Sequence, residues 1–128
     1  MKIVVTGSEG FIGKNLIQRL WRMDGVTVCP FDIDTDPGLL AGYVKDCDVL
    51  YHLAGINRPE KEEEYMEGNF GFTKTILGLL DEADNTKAKI VMSSSIQAEL
   101  DNPYGVSKKA GEDLIRERAA KTYMYVKV

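Results

Sequence analysis

The sequence has little of several features that mark particular protein classes. Its 128 residues contain one histidine and two cysteines, Cys29 and Cys47, which lack metal-ligand spacing. No apolar run approaches the roughly 20 residues that span a bilayer, and the first residues enter a strand pattern rather than a signal-peptide pattern. We therefore expect no metal site, no membrane span, reduced thiols and a cytoplasmic location.

Positive charge is also scarce. Lysine and arginine together number 16 against 20 aspartates and glutamates, which gives a net charge of −4, and the basic residues form no stripe. This balance argues against a nucleic-acid-binding surface. The chain has no repeat, low-complexity tract or linker, so we expect residues 1–128 to form one domain. A chain of this length can bury about 65% of its unfolded surface around a single core.

A glycine-rich segment after the first strand pattern is the most informative feature that is present. Lys2-Ile3-Val4-Val5 is typical of a buried strand, and glycines follow at positions 7, 10 and 13. Gly7 suits the tight turn out of the strand, Gly10 lets backbone N–H groups approach a pyrophosphate, and Gly13 lets the next helix pack on the sheet. The start of that helix offers free N–H groups to the anion. The pattern predicts a dinucleotide phosphate site, although ordinary turns also contain such glycines.

Asp32 follows the second strand pattern, Val26 to Phe31, which comes after a helix predicted over about Gly13 to Met23. A carboxylate there can accept hydrogen bonds from the two hydroxyls of an adenosine ribose. The alternative is a solvated turn acid in the acidic segment 32–36, but we favour the ribose role because the strand end places Asp32 at the cofactor edge. The same carboxylate would repel a 2′-phosphate, and residues 32–38 contain no arginine. Asp32 therefore favours NAD(H) over NADP(H).

The later segments continue to alternate between helix and strand patterns. They predict a short helix over Gly38 to Lys45, strands over Val49 to Leu53 and Lys89 to Met92, a long helix over about Glu60 to Asp81, and a last strand over Tyr123 to Val128. We infer a doubly wound Rossmann α/β fold with a five-stranded parallel sheet in the order 2-1-3-4-5 and helices on both faces. The long helix is apolar over more than one face, so we also expect a homodimer through it and the helix bearing Tyr104.

Small residues close the third strand. Ala54 and Gly55 would let a cofactor lie directly against the backbone. His52, the one histidine, stands at the end of the same strand. We interpret it as a packed residue rather than a catalytic base, because buried histidines are more often structural than functional.

Polar residues follow the fourth strand. Ser93-Ser94-Ser95 stands at its carboxyl end, where open α/β sheets bind their ligands. A helix predicted to start at Asp101-Asn102-Pro103 then carries Tyr104 and Lys108 one turn apart on one face. A tyrosine and a lysine at this spacing are also common on solvated helix faces, but the serines beside them favour a site.

Five motifs in this order resemble the extended short-chain dehydrogenase/reductases. They are Thr6-Gly7-x-x-Gly10-Phe11-Ile12-Gly13, His52-Leu53-Ala54-Gly55, Asn69-x-x-x-Thr73, the serine cluster and Tyr104-x-x-x-Lys108. Most members act on nucleotide-activated sugars as epimerases, dehydratases or reductases. Residues 52–60, 93–98 and 101–105 look more narrowly like the capsular-polysaccharide reductases. That resemblance implies reduction of the 4-keto group of a UDP-linked 6-deoxy-N-acetylhexosamine with NADPH, often with a separate C-terminal cupin domain.

The resemblance also implies a role for each motif residue. Tyr104 would donate and accept the proton at the substrate oxygen, with Ser95 as its hydrogen-bonding helper. Only eight residues separate Ser95 from Tyr104, fewer than in many members of the superfamily, which leaves Ser94 as an alternative helper. Lys108 would bind the nicotinamide ribose, and Asn69 would steady this region from the long helix. The full expected cofactor-binding set is Gly7, Gly10, Phe11, Ile12, Gly13, Asp32, Leu53, Ala54, Gly55, Asn69 and Lys108.

Other readings stay open at this point. The substrate-binding part that the resemblance places after the fifth strand is absent from residues 1–128, so we expect this chain to hold a dinucleotide without turning over a sugar by itself. One alternative is a nucleotide-sugar epimerase or dehydratase that keeps its NAD. Another is a non-catalytic dinucleotide-binding module that senses redox state or docks on a partner. Tyr104 and Lys108 favour an enzyme, since a sensor needs no proton donor.

Overall fold

The computed structural model describes residues 1–55, 59–94, 96–122 and 126–127. Its strands and helices alternate in the order β1 (Lys2–Thr6), α1 (Phe11–Leu20), β2 (Thr27–Phe31), α2 (Gly38–Lys45), β3 (Val49–His52), α3 (Glu63–Met66), α4 (Phe72–Glu82), β4 (Lys89–Met92), α5 (Pro103–Thr122) and β5 (Val126–Lys127). A π-helical turn, Glu67–Gly71, joins α3 to α4, and a 3-10 turn, Ile96–Glu99, precedes α5. We call the continuous helical stretch over residues 63–82 the long helix.

The strands form one parallel sheet in the order β2-β1-β3-β4-β5. In β1, Val4 lies opposite Cys29 of β2 and Leu50 of β3. At the other edge, Ile90 of β4 pairs with Val126 of the short strand β5. The predicted doubly wound fold and strand order are therefore confirmed.

Helices cover both faces of the sheet because the chain changes direction once. It steps from β1 to β2 one way and then from β2 through β3 and β4 to β5 the other way. Right-handed crossovers consequently place α1 on one face and α2, the long helix and α5 on the other. Ile3 and Val5 pack with Ile17 of α1, whereas Val4 and Leu50 join the larger core on the opposite face. Each of these fully buried side chains contributes roughly 1.5–3 kcal/mol.

The first helix differs at both ends from its predicted range. It begins at Phe11 rather than Gly13, because Gly10 has the extended conformation of an N-cap residue. It ends at Leu20 rather than Met23. The N–H of Met23 donates to the carbonyl oxygen of Leu20, 3.0 Å away, which tightens the chain into a turn before Gly25 at φ +74°.

The other predicted helices and strands lie within a few residues of their expected ends. The long helix begins later than Glu60, and the sequence pattern did not predict its π turn. The described part of the predicted last strand is Val126–Lys127, and the rest of that prediction lies outside the described residues.

Both cysteines are buried and free, and burial raises the pKa of Cys47 to about 11. No described helix is long and apolar enough to cross a membrane.

Candidate functional site

The glycine segment between β1 and α1 is shaped by contacts that leave no room for side chains. Gly7 has φ +70°, and a Cβ there would stand 2.8 Å from the amide nitrogen of Ala54. A Cβ on Gly13 would stand 2.1 Å from the carbonyl oxygen of Gly7. Gly10 caps α1 without a side-chain hydrogen bond, so the first-turn N–H groups of α1 are available to an anion.

A cleft of about 580 Å³ opens at the carboxyl ends of β1, β2 and β3. This volume is in the range of small-molecule and cofactor sites. Its described lining consists of Gly7, Glu9, Gly10, Phe31, Asp32, Ile33, Leu53, Ala54, Gly55, Gly68 and Phe72. The lining is mostly apolar, with the glycine segment at one end and a carboxylate at the edge. This is the combination that a dinucleotide requires, because its phosphates need backbone N–H groups and its ribose needs an acceptor.

Asp32 connects the end of β2 to the glycine segment. Its Oδ2 accepts a hydrogen bond from the N–H of Glu9 at 2.7 Å, and its Oδ1 accepts one from the N–H of Ile33 at 2.7 Å. The N–H of Asp32 itself donates to Oγ1 of Thr35 at 2.9 Å. Each carboxylate oxygen can accept more than one hydrogen bond, so the half-buried group keeps capacity for ribose hydroxyls.

His52 lies in a buried chain of hydrogen bonds that joins β1 to the long helix. Its Nδ1 lies 2.8 Å from Oγ1 of Thr6, and its Nε2 lies 2.8 Å from Oγ1 of Thr73. Thr73 uses its one hydroxyl proton to donate to the carbonyl oxygen of Asn69 at 2.9 Å. It must therefore accept from His52, which assigns the proton to Nε2 and makes Nδ1 the acceptor of the Thr6 hydroxyl.

The surroundings of His52 keep its ring neutral. Burial, and to a lesser degree the charge of Lys108, lower the pKa of His52 from 6.5 to about 4. The ring is 2% exposed and both nitrogens have partners. The interpretation of His52 as a packed residue is confirmed.

The π turn brings the long helix and α5 together below the cleft. Asn69, which is 2% exposed, donates from Nδ2 to Oγ of Ser107 at 3.0 Å. A Cβ on Gly111 of α5 would stand 2.7 Å from the carbonyl oxygen of Asn69, and a Cβ on Gly55 would stand 2.9 Å from its Oδ1. Both glycines thus allow backbone to approach the π turn closely, and the hydrogen bond from Asn69 to Ser107 ties the long helix to α5. The predicted role of Asn69 toward a cofactor stays a prediction.

Lys108 is buried with its ammonium group at the end of β4. The Nζ atom donates to the carbonyl oxygen of Ser93 at 2.7 Å and lies 3.4 Å from the position of a Cβ on Gly55. Burial lowers the pKa of Lys108 below its usual value, and the nearby Glu112 carboxylate opposes this shift. The ammonium therefore stands next to a residue of the cleft lining. Such a group can hold a polar ligand there or assist a neighbouring proton donor.

Tyr104 stands one turn before Lys108 on α5 and is half-buried. Its ring packs edge-on against Tyr65 of α3, with the ring centres 5.7 Å apart. The 3-10 turn packs directly against this part of α5. A Cβ on Gly105 would stand 2.0 Å from the carbonyl oxygen of Gln97, so only glycine allows this approach. Tyr104 and Lys108 are four residues apart on α5, so the two side chains share one helix face.

The serine cluster divides into residues with different surroundings. Ser94 donates from its hydroxyl to Oε1 of Glu112, a pair that the sequence pattern did not predict. Ser95, the predicted helper of Tyr104, lies outside the described residues. Its predicted role stays a prediction.

The structure brings most of the predicted cofactor-binding residues to the cleft. Gly7, Gly10, Asp32, Leu53, Ala54 and Gly55 line it. Gly13 packs behind Gly7, and Asn69 and Lys108 adjoin Gly55. Phe11 and Ile12 begin α1 with side chains 85% and 58% exposed and do not line the cleft.

Sequence reasoning missed part of the lining. Glu9, Phe31, Ile33, Gly68 and Phe72 complete the cleft. Glu9, Phe31 and Ile33 adjoin predicted residues and could have been found from the strand ends. Gly68 and Phe72 depend on the π turn, for which the sequence pattern has no signal. The described residues include no group of three or more His, Cys, Asp or Glu side chains that could hold a metal ion.

Known proteins share this architecture. UDP-2-acetamido-2,6-beta-L-arabino-hexul-4-ose reductase from Pseudomonas aeruginosa is 41% identical over 113 residues, which are 88% of this chain and 30% of the reductase. The crystal structure of the capsular polysaccharide assembling protein CapF from Staphylococcus aureus matches with a TM-score of 0.82 at 40% identity, over 98% of this chain and 34% of CapF. This chain thus spans about a third of each protein's length.

More distant structures share the fold alone. UDP-glucuronic acid 4-epimerase from Bacillus cereus, solved in complex with NAD, matches with a TM-score of 0.80 at 24% identity, over 98% of this chain and 55% of the epimerase.

The sequence profile of the NAD dependent epimerase/dehydratase family matches residues 3–128. The chain therefore belongs to the NAD dependent epimerase/dehydratase family.

Proposed function

We propose that this chain is the cofactor-binding and proton-transferring part of an NAD(P)-dependent nucleotide-sugar oxidoreductase that reduces a 4-keto-6-deoxy sugar nucleotide in capsular or surface polysaccharide biosynthesis. The observation that carries the proposal is the placement of Lys108. Its ammonium is buried at the end of β4, beside Gly55 of the cleft and one helical turn from Tyr104. The similarity to the Pseudomonas aeruginosa reductase supports the reaction class.

The residues of the cleft fit a nicotinamide dinucleotide. The glycine segment and the first turn of α1 would hold its phosphates, Asp32 its adenosine ribose and Lys108 its nicotinamide ribose. When bound in reduced form, the cofactor supplies a hydride to the carbonyl carbon. Tyr104 would give its phenolic proton to the carbonyl oxygen, so the ketone becomes a hydroxyl. Lys108 would stabilise the phenolate that remains, and His52, being neutral and fully engaged, takes no part.

Asp32 favours NAD(H), whereas the resemblance to the capsular-polysaccharide reductases implies NADPH. The carboxylate already accepts two backbone N–H groups and is held at the cleft edge. It cannot swing away from a 2′-phosphate without giving up those bonds, and that phosphate would meet a negative charge. We therefore propose NAD(H) as the preferred cofactor. Fluorescence titration with NADH and NADPH decides the point, since tighter binding of NADPH contradicts it.

The reaction is tested with two lengths of polypeptide. We expect residues 1–128 to bind the dinucleotide but to show no appreciable turnover of UDP-linked 4-keto-6-deoxy sugars, because they span about a third of the relatives' length and the rest of such a protein would supply most of the positioning energy for the sugar. A polypeptide of the relatives' full length should reduce the keto group, and Tyr104→Phe should abolish turnover while sparing cofactor binding. Equal turnover by the two lengths contradicts the division of labour. Release of a C4 epimer instead of a reduced sugar favours the epimerase alternative.

We also propose a cytoplasmic homodimer that pairs the long helix and α5 with their copies around a two-fold axis. Met66 of α3 and Val106 of α5 are 40% and 44% exposed on these helices. Apolar side chains on two adjacent helices suit a self-complementary interface. Sedimentation equilibrium at high micromolar concentration tests this, and a monomer there contradicts it.

A further inference from the structure

Two side chains of α5 hold the segment that leads to Ser95. Lys108 donates from Nζ to the carbonyl oxygen of Ser93 at 2.7 Å. One turn further along, Glu112 accepts the hydroxyl proton of Ser94. Lys108 and Glu112 are four residues apart, so they share one face of the helix. The carboxyl end of β4 is therefore attached to α5 at two successive residues.

The surroundings of Glu112 are unusual for a structural carboxylate. The residue is 9% exposed, and its Oε2 lies 3.7 Å from Nη2 of Arg116, whose side chain is 62% exposed. Such a solvated partner offsets little of the cost of burying a charge. The buried positive group on the same face of α5 is Lys108, four residues earlier, and the charge of Glu112 favours its charged form. An apolar side chain could fill the same space without the desolvation cost.

We propose that Glu112 is a positioning residue, whose carboxylate holds Ser94 against α5 to fix the segment leading to Ser95 and keeps the buried Lys108 ammonium charged beside the cleft. The inference rests on the proposed function, in which Lys108 contacts the dinucleotide. The same contact excludes Ser94 as a substitute for Ser95, because the hydroxyl proton of Ser94 is already donated to Glu112.

The groups around Lys108 identify Glu112 as the acid to test. Its own helix contributes Tyr104 and Glu112, β3 contributes the neutral His52, and the end of β4 contributes the carbonyl of Ser93. Among the described residues, Glu112 is the one acid whose charge acts appreciably on Lys108.

The first experiment follows the Lys108 side chain by carbon-13 NMR during a pH titration of the lysine-labelled chain. We expect Glu112→Gln to move the Lys108 transition to lower pH, because the amide keeps the shape but not the charge. The matched control is Asp113→Asn at the next position, where the carboxylate is 49% exposed and pairs with Lys109 at 3.2 Å. That variant should leave the transition unchanged. Identical Lys108 transitions in wild type and Glu112→Gln overturn the proposal.

The second experiment measures dinucleotide affinity at neutral pH. Ser94→Ala should bind roughly threefold to tenfold more weakly than wild type, the order that one hydrogen bond is worth. The double variant with Glu112→Ala should bind no more weakly than Glu112→Ala alone, since both changes remove the hydrogen bond between Ser94 and Glu112. If the Glu112 variants fail to fold, Ser94→Ala alone tests the proposal, and a dinucleotide affinity of Ser94→Ala equal to that of wild type overturns it. Absence of dinucleotide binding by the wild-type chain contradicts the proposed function instead, and the Lys108 titration still decides the role of Glu112.

Discussion

The two sides of the cleft are built in opposite ways. On the side of β1 and β2, the site consists of backbone held close by glycines, and the side chains of Phe11 and Ile12 beside it are largely exposed. On the side of the long helix and α5, the site consists of buried polar side chains such as Asn69 and Lys108, which are 2% and 5% exposed.

The difference predicts opposite sensitivities to mutation. The glycine side depends on the absence of side chains, so an added methyl group should damage it more than a change of polarity nearby. The α5 side depends on the identity of side chains that have particular partners, so isosteric changes of charge or hydrogen bonding should damage it. The predictions below test this contrast, from the largest expected effect to the smallest.

Gly13→Ala should have the largest effect. The new Cβ would stand 2.1 Å from the carbonyl oxygen of Gly7, so the glycine segment or α1 must shift. We expect a loss of about 3 kcal/mol in the free energy of unfolding and loss of dinucleotide binding, measured by urea denaturation and fluorescence titration. The control is Gly42→Ala in α2, where an added Cβ meets nothing within 4 Å. It should stabilise the helix by about 0.5–1 kcal/mol, and equal losses in both variants contradict the contrast.

Lowering the pH should destabilise the fold through protonation of His52, which lies in the buried polar network beside the long helix. Because its pKa is lowered from 6.5 to about 4 in the folded chain, the unfolded chain binds more protons between these values. The contribution of His52 to the free energy of unfolding is therefore complete above pH 6.5 and falls by about 3 kcal/mol as the pH drops to about 4. Urea denaturation at a series of pH values measures this loss.

The matched variant for the acid experiment is His52→Gln, which keeps hydrogen-bonding capacity without titrating in this range. It should be less stable than wild type at pH 7 but should lose much less stability between pH 6.5 and pH 4. Parallel pH profiles for the two proteins contradict the assignment to His52.

Asp32→Ala tests the one charged side chain on the glycine side that has a predicted ligand. Its loss removes the repulsion of a 2′-phosphate and an acceptor for ribose, so the affinity for NADPH relative to NADH should rise by roughly tenfold, or about 1.4 kcal/mol. The ratio is the readout because the lost bond to Glu9 weakens both cofactors alike. Asp34→Ala, at an exposed neighbouring position, is the control and should leave the ratio unchanged.

Lys109→Ala should have the smallest effect. Lys109 and Asp113 form an exposed pair at 3.2 Å on the outer face of α5. Such pairs contribute about 0.3–0.5 kcal/mol, and salt screens them. A loss above about 1 kcal/mol in the free energy of unfolding would show that side-chain identity matters on all of α5 and not only on its buried face.

The predictable part of this molecule is the part set by neighbours in sequence. Apolar strand runs, glycine spacing and right-handed crossovers led to the fold and strand order, and the same local patterns placed Gly7, Asp32 and Gly55 at the cleft. These features need only turn chemistry, hydrophobic periodicity and the handedness of connections, all of which operate over short stretches.

Tertiary structure decided the features that depend on partners far apart in the chain. The tautomer of His52 follows from Thr6 and Thr73, which come from different elements, and the bond from Ser94 to Glu112 joins residues 18 positions apart. The π turn, which brings Gly68 to the cleft, has no periodic signal because it inserts one residue into an otherwise regular helix. Such contacts become readable only after packing sets which buried polar groups must satisfy one another.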